Sequence, residues 1–134
     1  MGNAGAGCQI ILVNPAGSVL LQLRDDIPSI PFPGMWALPG RMLEPGELPL
    51  DCILREIDEE LGARLDPSTV THVVSKTRSY GLEHTFTAPF AATVDEIDLT
   101  EGQRVEWFTP QQVESFALAY EDDEVLASFF AGRL

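Results

Sequence analysis

Residues 49–62 read PLDCILREIDEELG, and this stretch decides how the rest of the chain is read. Leu50, Ile53, Leu54, Ile57 and Leu61 recur at spacings of three and four, the period of a helix with one apolar stripe. Pro49 suits the first helical turn, where a missing N–H costs nothing, and Gly62 suits a helix end. The other face carries Arg55, Glu56, Glu59 and Glu60. Glu56 lies three and four positions from Glu59 and Glu60, spacings at which like charges destabilise a helix by about 0.2–0.5 kcal/mol per pair. Arg55 alone offsets them within the stretch. The pattern therefore predicts either a hydrated acidic face or carboxylates gathered around a cation.

Upstream, CQIILVN (8–14) and SVLLQLR (18–24) are apolar runs rich in branched residues, and Pro15-Ala16-Gly17 between them predicts a hairpin. Pro28, Pro31 and Pro33 make DDIPSIPFPG (25–34) a semi-rigid loop. MWALPG follows as a short segment, and a second loop runs to Gly46. Downstream, TVTHVVSKTRSY (69–80), HTFTAPFAATV (84–94) and RVEWF (104–108) read as strands, with Pro89 marking an edge or bulge. Thr109 and Pro110 cap and open a short helix, and EDDEVLASFFAG (121–132) reads as an amphipathic helix with acids in its first turn. Strands and helices do not alternate regularly. The expected fold class is α/β in the α+β sense, a mixed β-sheet flanked by helices, with the 49–62 helix on one face and the C-terminal helix on the other. No repeat or interior linker breaks the chain, so residues 1–134 are expected to form one domain.

Composition narrows the partners. With 21 acids against 8 bases, the formal charge is -13, which argues against a nucleic-acid polymer or an anionic membrane. A small anionic ligand would need a metal ion or a local basic patch. No run approaches the roughly 18 apolar residues of a membrane helix. The opening MGNAGAGC has Ala6 where a myristoylation signal wants Ser or Thr, and lacks the basic and apolar regions of a lipoprotein leader. Cys8 and Cys52 show no metal or redox spacing. They are expected as two separate thiols in a reducing, cytoplasmic setting.

The acidic helix is entered from a Pro-Gly loop, LPGRMLEPGE (38–47), so backbone carbonyls and carboxylates can meet at one point. Oxygen donors of this kind suit Mg²⁺ or Mn²⁺. His72 and His84 sit on predicted strands and form no zinc pattern, and the spacing is not that of a calcium loop. GRMLEPGELPLDCILREIDEELGA (40–63) resembles the signature of the Nudix hydrolase superfamily, with its MutT-like members: G-x5-E-x7-R-E-U-x-E-E-x-G-U, where U is a bulky aliphatic. Glu47, Arg55, Glu56, Ile57, Glu59, Glu60 and Gly62 match at the required spacings. LLQLR (20–24), WALPG (36–40) and EGQRVEWF (101–108) are similar to the corresponding family segments in type and place. Two positions depart from the pattern: Arg41 stands where it begins with Gly, and Ala63 replaces its final aliphatic. If the Gly serves an unusual dihedral, a left-handed Arg41 would cost about 1–2 kcal/mol.

The resemblance implies a Mg²⁺-dependent enzyme, with Mn²⁺ as an alternative metal, that hydrolyses a phosphoanhydride bond of a nucleoside diphosphate linked to another group. Ordinary or oxidised dNTPs, nucleotide sugars and dinucleoside polyphosphates are the substrate classes it admits. Glu56, Glu59 and Glu60 would hold metal with the Gly40 carbonyl, Glu101 would help bind metal or activate water, and Arg55 and Glu47 would orient the helix and loop. Arg24 and Arg41 are candidates for phosphate contact, Phe32 and Tyr80 for base or sugar contact, and Asp122 for a purine edge. Gly62 is assigned to the helix end. The implied partner is a small nucleotide, and a homodimer is compatible with it. A non-catalytic Nudix-fold nucleotide binder is the alternative.

Overall fold

The computed structural model describes residues 6–134, so the reading of the first five residues lies outside the described residues. The hairpin forms where its turn residues require it. Strands β1 (Gly7–Val13) and β2 (Val19–Leu23) run antiparallel and meet at Val13 and Val19. Asn14 Oδ1 accepts from the N–H groups of Ala16 and Ser18 across the turn. From there the two strands diverge, and the Trp36–Met42 segment fills the fork. Its first part, β3 (Trp36–Ala37), pairs with β2, and its second, β4 (Gly40–Met42), pairs with β1. The loop expected up to Gly46 is therefore partly sheet, because the splayed strands leave backbone groups that need partners.

Strands β5 (Thr71–Arg78) and β6 (Gly81–Pro89) form a second hairpin. β6 also runs parallel to β1, which makes the sheet mixed, and β7 (Arg104–Phe108) adds antiparallel to β2. The main strand order is β3-β2-β1-β6-β5. The strand expected over 84–94 begins earlier, after the Ser79-Tyr80 turn, and ends at Pro89, which has no N–H to extend the ladder.

Helix α1 (Pro49–Leu61) buries Ile53, Ile57 and Leu61 against Cys8, Ile10 and Leu12 of β1. Each such side chain contributes about 1.5–3 kcal/mol. That outweighs the like-charge repulsion on the outer face. Gly62 ends the helix in the left-handed region at φ 65°, its N–H donating to Asp58 O. The alternate residues of β1 and β2, Ile11, Val19 and Leu21, pack on the opposite face. There they meet Val113 of the short helix α2 (Pro110–Val113) and Val125 and Leu126 of α3 (Asp122–Phe130). Helices therefore cover both faces of a mixed sheet, as the sequence predicts.

One expectation is corrected. Cys8 and Cys52 are not separate thiols but are joined as a disulfide. The inward face of β1 and the buried stripe of α1 bring them into the same core, a proximity that a separation of 44 residues does not reveal. The thiol argument for a reducing compartment loses its premise. No helix among the described residues is long and apolar enough to cross a membrane.

Candidate active site

Arg55 organises the outer face of α1. Its Nε and Nη2 donate to Glu47 Oε2 and Oε1 at 2.7 and 2.9 Å, and its Nη1 reaches Glu56 Oε1 at 2.5 Å and Glu59 Oε2 at 3.1 Å. The Arg55 hydrogen bonds, with help from the Glu44 N–H, hold the Glu47 carboxyl down at about 2. In turn, these carboxylates raise the Arg55 guanidinium above its ordinary value. A two-pronged pair of this kind fixes direction as well as charge. Glu47 thus orients Arg55, and Arg55 orients Glu56 and the exposed Glu59.

Glu56 and Glu60 turn inward, 2% and 4% exposed. Burial, and then the neighbouring Glu56, raise the Glu60 carboxyl to about 7, with Arg41 opposing. Glu56 Oε2 and Glu60 Oε2 are buried and have no hydrogen-bond partner. Unpaired buried carboxylate oxygens are costly unless a cation compensates them. A second cation, Arg41, approaches them from the other side: its Nε lies 3.3 Å from Glu56 Oε2, and its Nη2 lies 3.5 Å from Glu60 Oε1 and against Glu101 Oε2. The acids of α1 are therefore not offset by Arg55 alone. Among the described residues, no three His, Cys, Asp or Glu side chains converge as a ready metal-holding group.

The sheet positions Arg41 and Gly40. Arg41 lies opposite Cys8 in the β1–β4 register and does not adopt the left-handed conformation considered for it. Gly40 is required for another reason: a Cβ there would lie 2.1 Å from the Cys8 carbonyl oxygen. Close approach demands a glycine at position 40, which leaves 41 free to carry a side chain. Glu101 is delivered by a loop stitched to the C-terminal end of α1. Asp98 and Thr100 donate their N–H groups to the carbonyls of Leu61 and Glu60, and Thr100 Oγ1 donates to Glu59 O. These bonds satisfy carbonyls that a helix end leaves unpaired.

A cavity of about 390 Å³ adjoins this cluster. Arg24, Arg41, Glu60, Glu101, Tyr80 and Glu83 are among the residues that line it. Tyr120 forms part of the wall, its ring tilted against Phe32 at 4.6 Å and edge-to-face with Tyr80 at 5.1 Å between ring centroids, with the Arg24 guanidinium 5.3 Å from its centre. Phe32 and Tyr120 are the two non-glycine residues with positive φ among those described, at 51° and 57°. Such backbone strain persists only where the surroundings impose it, and it gathers at functional sites. Arg24 is further tied to the Pro-rich loop through Nε to Pro31 O.

Sequence reasoning missed Tyr120 and Glu83. Tyr120 carried no signal, since its backbone conformation and its ring contacts are tertiary. Glu83 carried none either: the expected strand began at His84, and the burial of Glu83, beside Thr85 on one strand face, is decided by packing. Burial raises its carboxyl to about 7, with Tyr80 and Arg78 opposing. Asp122 lies elsewhere than expected. It is fully buried behind the wall, where its Oδ2 accepts from the Leu38 N–H at 2.9 Å while Oδ1 has no partner. Burial raises it to about 8, with the Leu38 N–H opposing.

The geometry fits what comparison with known proteins finds. The NUDIX domain family model matches residues 5–129. A Bacillus subtilis (strain 168) protein named "Putative 8-oxo-dGTP diphosphatase" is 28% identical over 110 residues, covering 82% of this chain and 70% of its own. Nucleoside triphosphatase NudI of Escherichia fergusonii is 41% identical over 61 residues, which span 46% of this chain and 42% of that protein. In fold, the chain superimposes with a TM-score of 0.77 on the NUDIX domain of Shewanella oneidensis NrtR, crystallised with ADP ribose, at 17% identity over 96% of this chain and 88% of that one. With the Glu47–Gly62 pattern and this fold in place, the chain belongs to the NUDIX family, among whose members similar to it are proteins named as a diphosphatase and a nucleoside triphosphatase.

Proposed function

We propose that the chain, acting as one catalytic unit, hydrolyses a phosphoanhydride bond inside a nucleoside diphosphate linked to another group: a dNTP, a nucleotide sugar or a dinucleoside polyphosphate. The observation that carries this reading is the pair of buried carboxylate oxygens, Glu56 Oε2 and Glu60 Oε2, that lack a hydrogen bond beside a cavity large enough for a nucleotide. Oxygen donors alone fit a hard divalent cation, Mg²⁺ or in its place Mn²⁺. Glu56, Glu60 and the Gly40 carbonyl would hold it, with Glu59 joining from the rim of the helix. Such an ion supplies neutralisation of phosphate charge and a lowered pKa for bound water.

The chain's own residues then divide the remaining work. Arg55 holds Glu56 and Glu59 in position, and Glu47 holds Arg55. Glu101, half-exposed at the cavity, accepts a proton from the attacking water. Arg24 and Arg41 face the phosphates. Phe32, Tyr80 and Tyr120 offer aromatic faces to the base, and Asp122 sets the Leu38 backbone behind it. The names of the relatives, an oxidised dGTP diphosphatase and a nucleoside triphosphatase, and the ADP ribose of the NrtR domain share a nucleoside diphosphate core, which supports the substrate class.

Incubation with a nucleotide panel, with and without Mg²⁺, followed by chromatography, tests the proposal. Mg²⁺-dependent release of a nucleoside monophosphate is expected. In oxygen-labelled water, label found only in free orthophosphate from a nucleoside triphosphate contradicts it. A non-catalytic nucleotide binder is the second reading, favoured by one observation, the Arg41 guanidinium seated among the acids. Metal-dependent binding without turnover across the panel selects it.

A further inference from the structure

Arg41 is the position where this chain departs from the family signature, and it is also where the structure seats a cation. The guanidinium meets three carboxylates, Glu56 and Glu60 of α1 and Glu101 of the loop that leads into β7. It is presented by a paired strand rather than a free loop, with its neighbour Gly40 pressed against the Cys8 carbonyl. Its reach is therefore built in. The acids it touches include the two most buried on α1, Glu56 and Glu60.

A guanidinium and a divalent cation compete for the same carboxylate oxygens. The guanidinium has another good partner, the oxygens of a phosphate chain, which it grips with paired N–H groups. Arg41 is 43% exposed at its side chain and lines the cavity, so that partner is within its compass. We propose that Arg41 is a resident counter-ion of the carboxylate cluster, one that holds the acids against free divalent cation and releases them when a diphosphate enters the cavity. The inference rests on the metal-site reading above and adds a coupling that the signature residues do not provide. Metal and diphosphate then bind cooperatively, each raising the affinity for the other by the same factor.

Mn²⁺ binding, followed by the paramagnetic resonance of the free ion, tests this on the intact chain without turnover. The probe for the second ligand is methylenediphosphonate, a diphosphate that cannot be hydrolysed. Wild type is expected to bind Mn²⁺ weakly alone, and Arg41→Gln about tenfold more tightly. The gain in Mn²⁺ affinity on adding methylenediphosphonate should be smaller for Arg41→Gln than for wild type. Arg41→Lys, which keeps the charge on a shorter fork-less side chain, should lie between them and guards against a folding defect in the Gln variant. In chelator, Arg41→Gln should melt below wild type, and Mn²⁺ should raise its melting temperature by more. Equal or weaker Mn²⁺ affinity in Arg41→Gln, with Mn²⁺ bound by both proteins, overturns the counter-ion role alone. No Mn²⁺ binding by either protein overturns the metal-site reading, and this inference with it.

Discussion

Asp122 and Glu83 are acids kept away from water on the same side of the sheet, with Arg78 and Tyr80 beside them. Both carboxyls sit above their ordinary range in the fold, Asp122 at about 8 and Glu83 at about 7, chiefly because burial penalises the charged form. An acid whose pKa is higher folded than unfolded contributes stability below its unfolded value, and that contribution is lost as pH rises through the folded value. Wild-type stability should therefore decline between about pH 4 and pH 8, where these groups ionise. Asp122→Asn keeps an acceptor for the Leu38 N–H but cannot ionise, so its stability profile from urea unfolding should be flatter over this window. An unchanged slope would remove Asp122 as its source. Glu101 presents the opposite case, a half-exposed acid on a loop. Glu101→Gln should lower kcat by on the order of 10²-fold if the carboxylate takes the proton of the attacking water. Its effect on stability should stay below about 1 kcal/mol, because its ion pair with Arg41 is open to solvent. Steady-state rates and a melt of the same preparation separate the two quantities.

At the scale of the helix, the acids of α1 cluster without being left alone. Arg55 takes Glu47, Glu56 and Glu59, and Arg41 takes Glu56, Glu60 and Glu101. The simple picture of unrelieved repulsion on an acidic face is therefore corrected, yet its sign survives at Glu60, where burial and Glu56 still oppose ionisation. Glu60→Gln should leave the metal-free protein as stable as wild type or more stable, by about 0.3–1 kcal/mol. The same substitution removes a proposed metal ligand, so the stabilisation gained from Mg²⁺ should shrink. Thermal melts in chelator and in Mg²⁺ read both effects. If the two proteins respond alike to Mg²⁺, Glu60 is not a ligand.

Across the whole molecule, the Cys8–Cys52 bond ties β1 to α1, the two elements that carry Arg41's register partner and the carboxylates. Closing a loop between residues 44 apart removes freedom from the unfolded chain, and natural bonds of this kind contribute about 2–4 kcal/mol. Urea unfolding with dithiothreitol should accordingly show a lower midpoint than without it, while Cys52→Ala should show no response to the reductant. Identical midpoints for wild type in both conditions would mean that the bond does not contribute to stability.

Local chemistry in the chain determined a good deal of this protein. The apolar stripe of 50–61, the Pro15–Gly17 turn, the Thr109-Pro110 cap and the left-handed end at Gly62 were all legible, because each depends on residues within one turn of helix or one hairpin. The carboxylate pattern from Glu56 to Glu60 was legible for the same reason, as its spacing on one helix already places the groups together. What the chain order could not show is where separate elements meet. That Trp36–Met42 fills the fork between β1 and β2, that Arg41 reaches three acids from there, and that Cys8 finds Cys52 all follow from the splay of two strands and the packing of a helix on one of them. Tyr120 and Glu83 joined the cavity wall by the same route. Burial sets the charge states of Glu83 and Asp122, and only the packed structure decides which carboxyls are taken out of water.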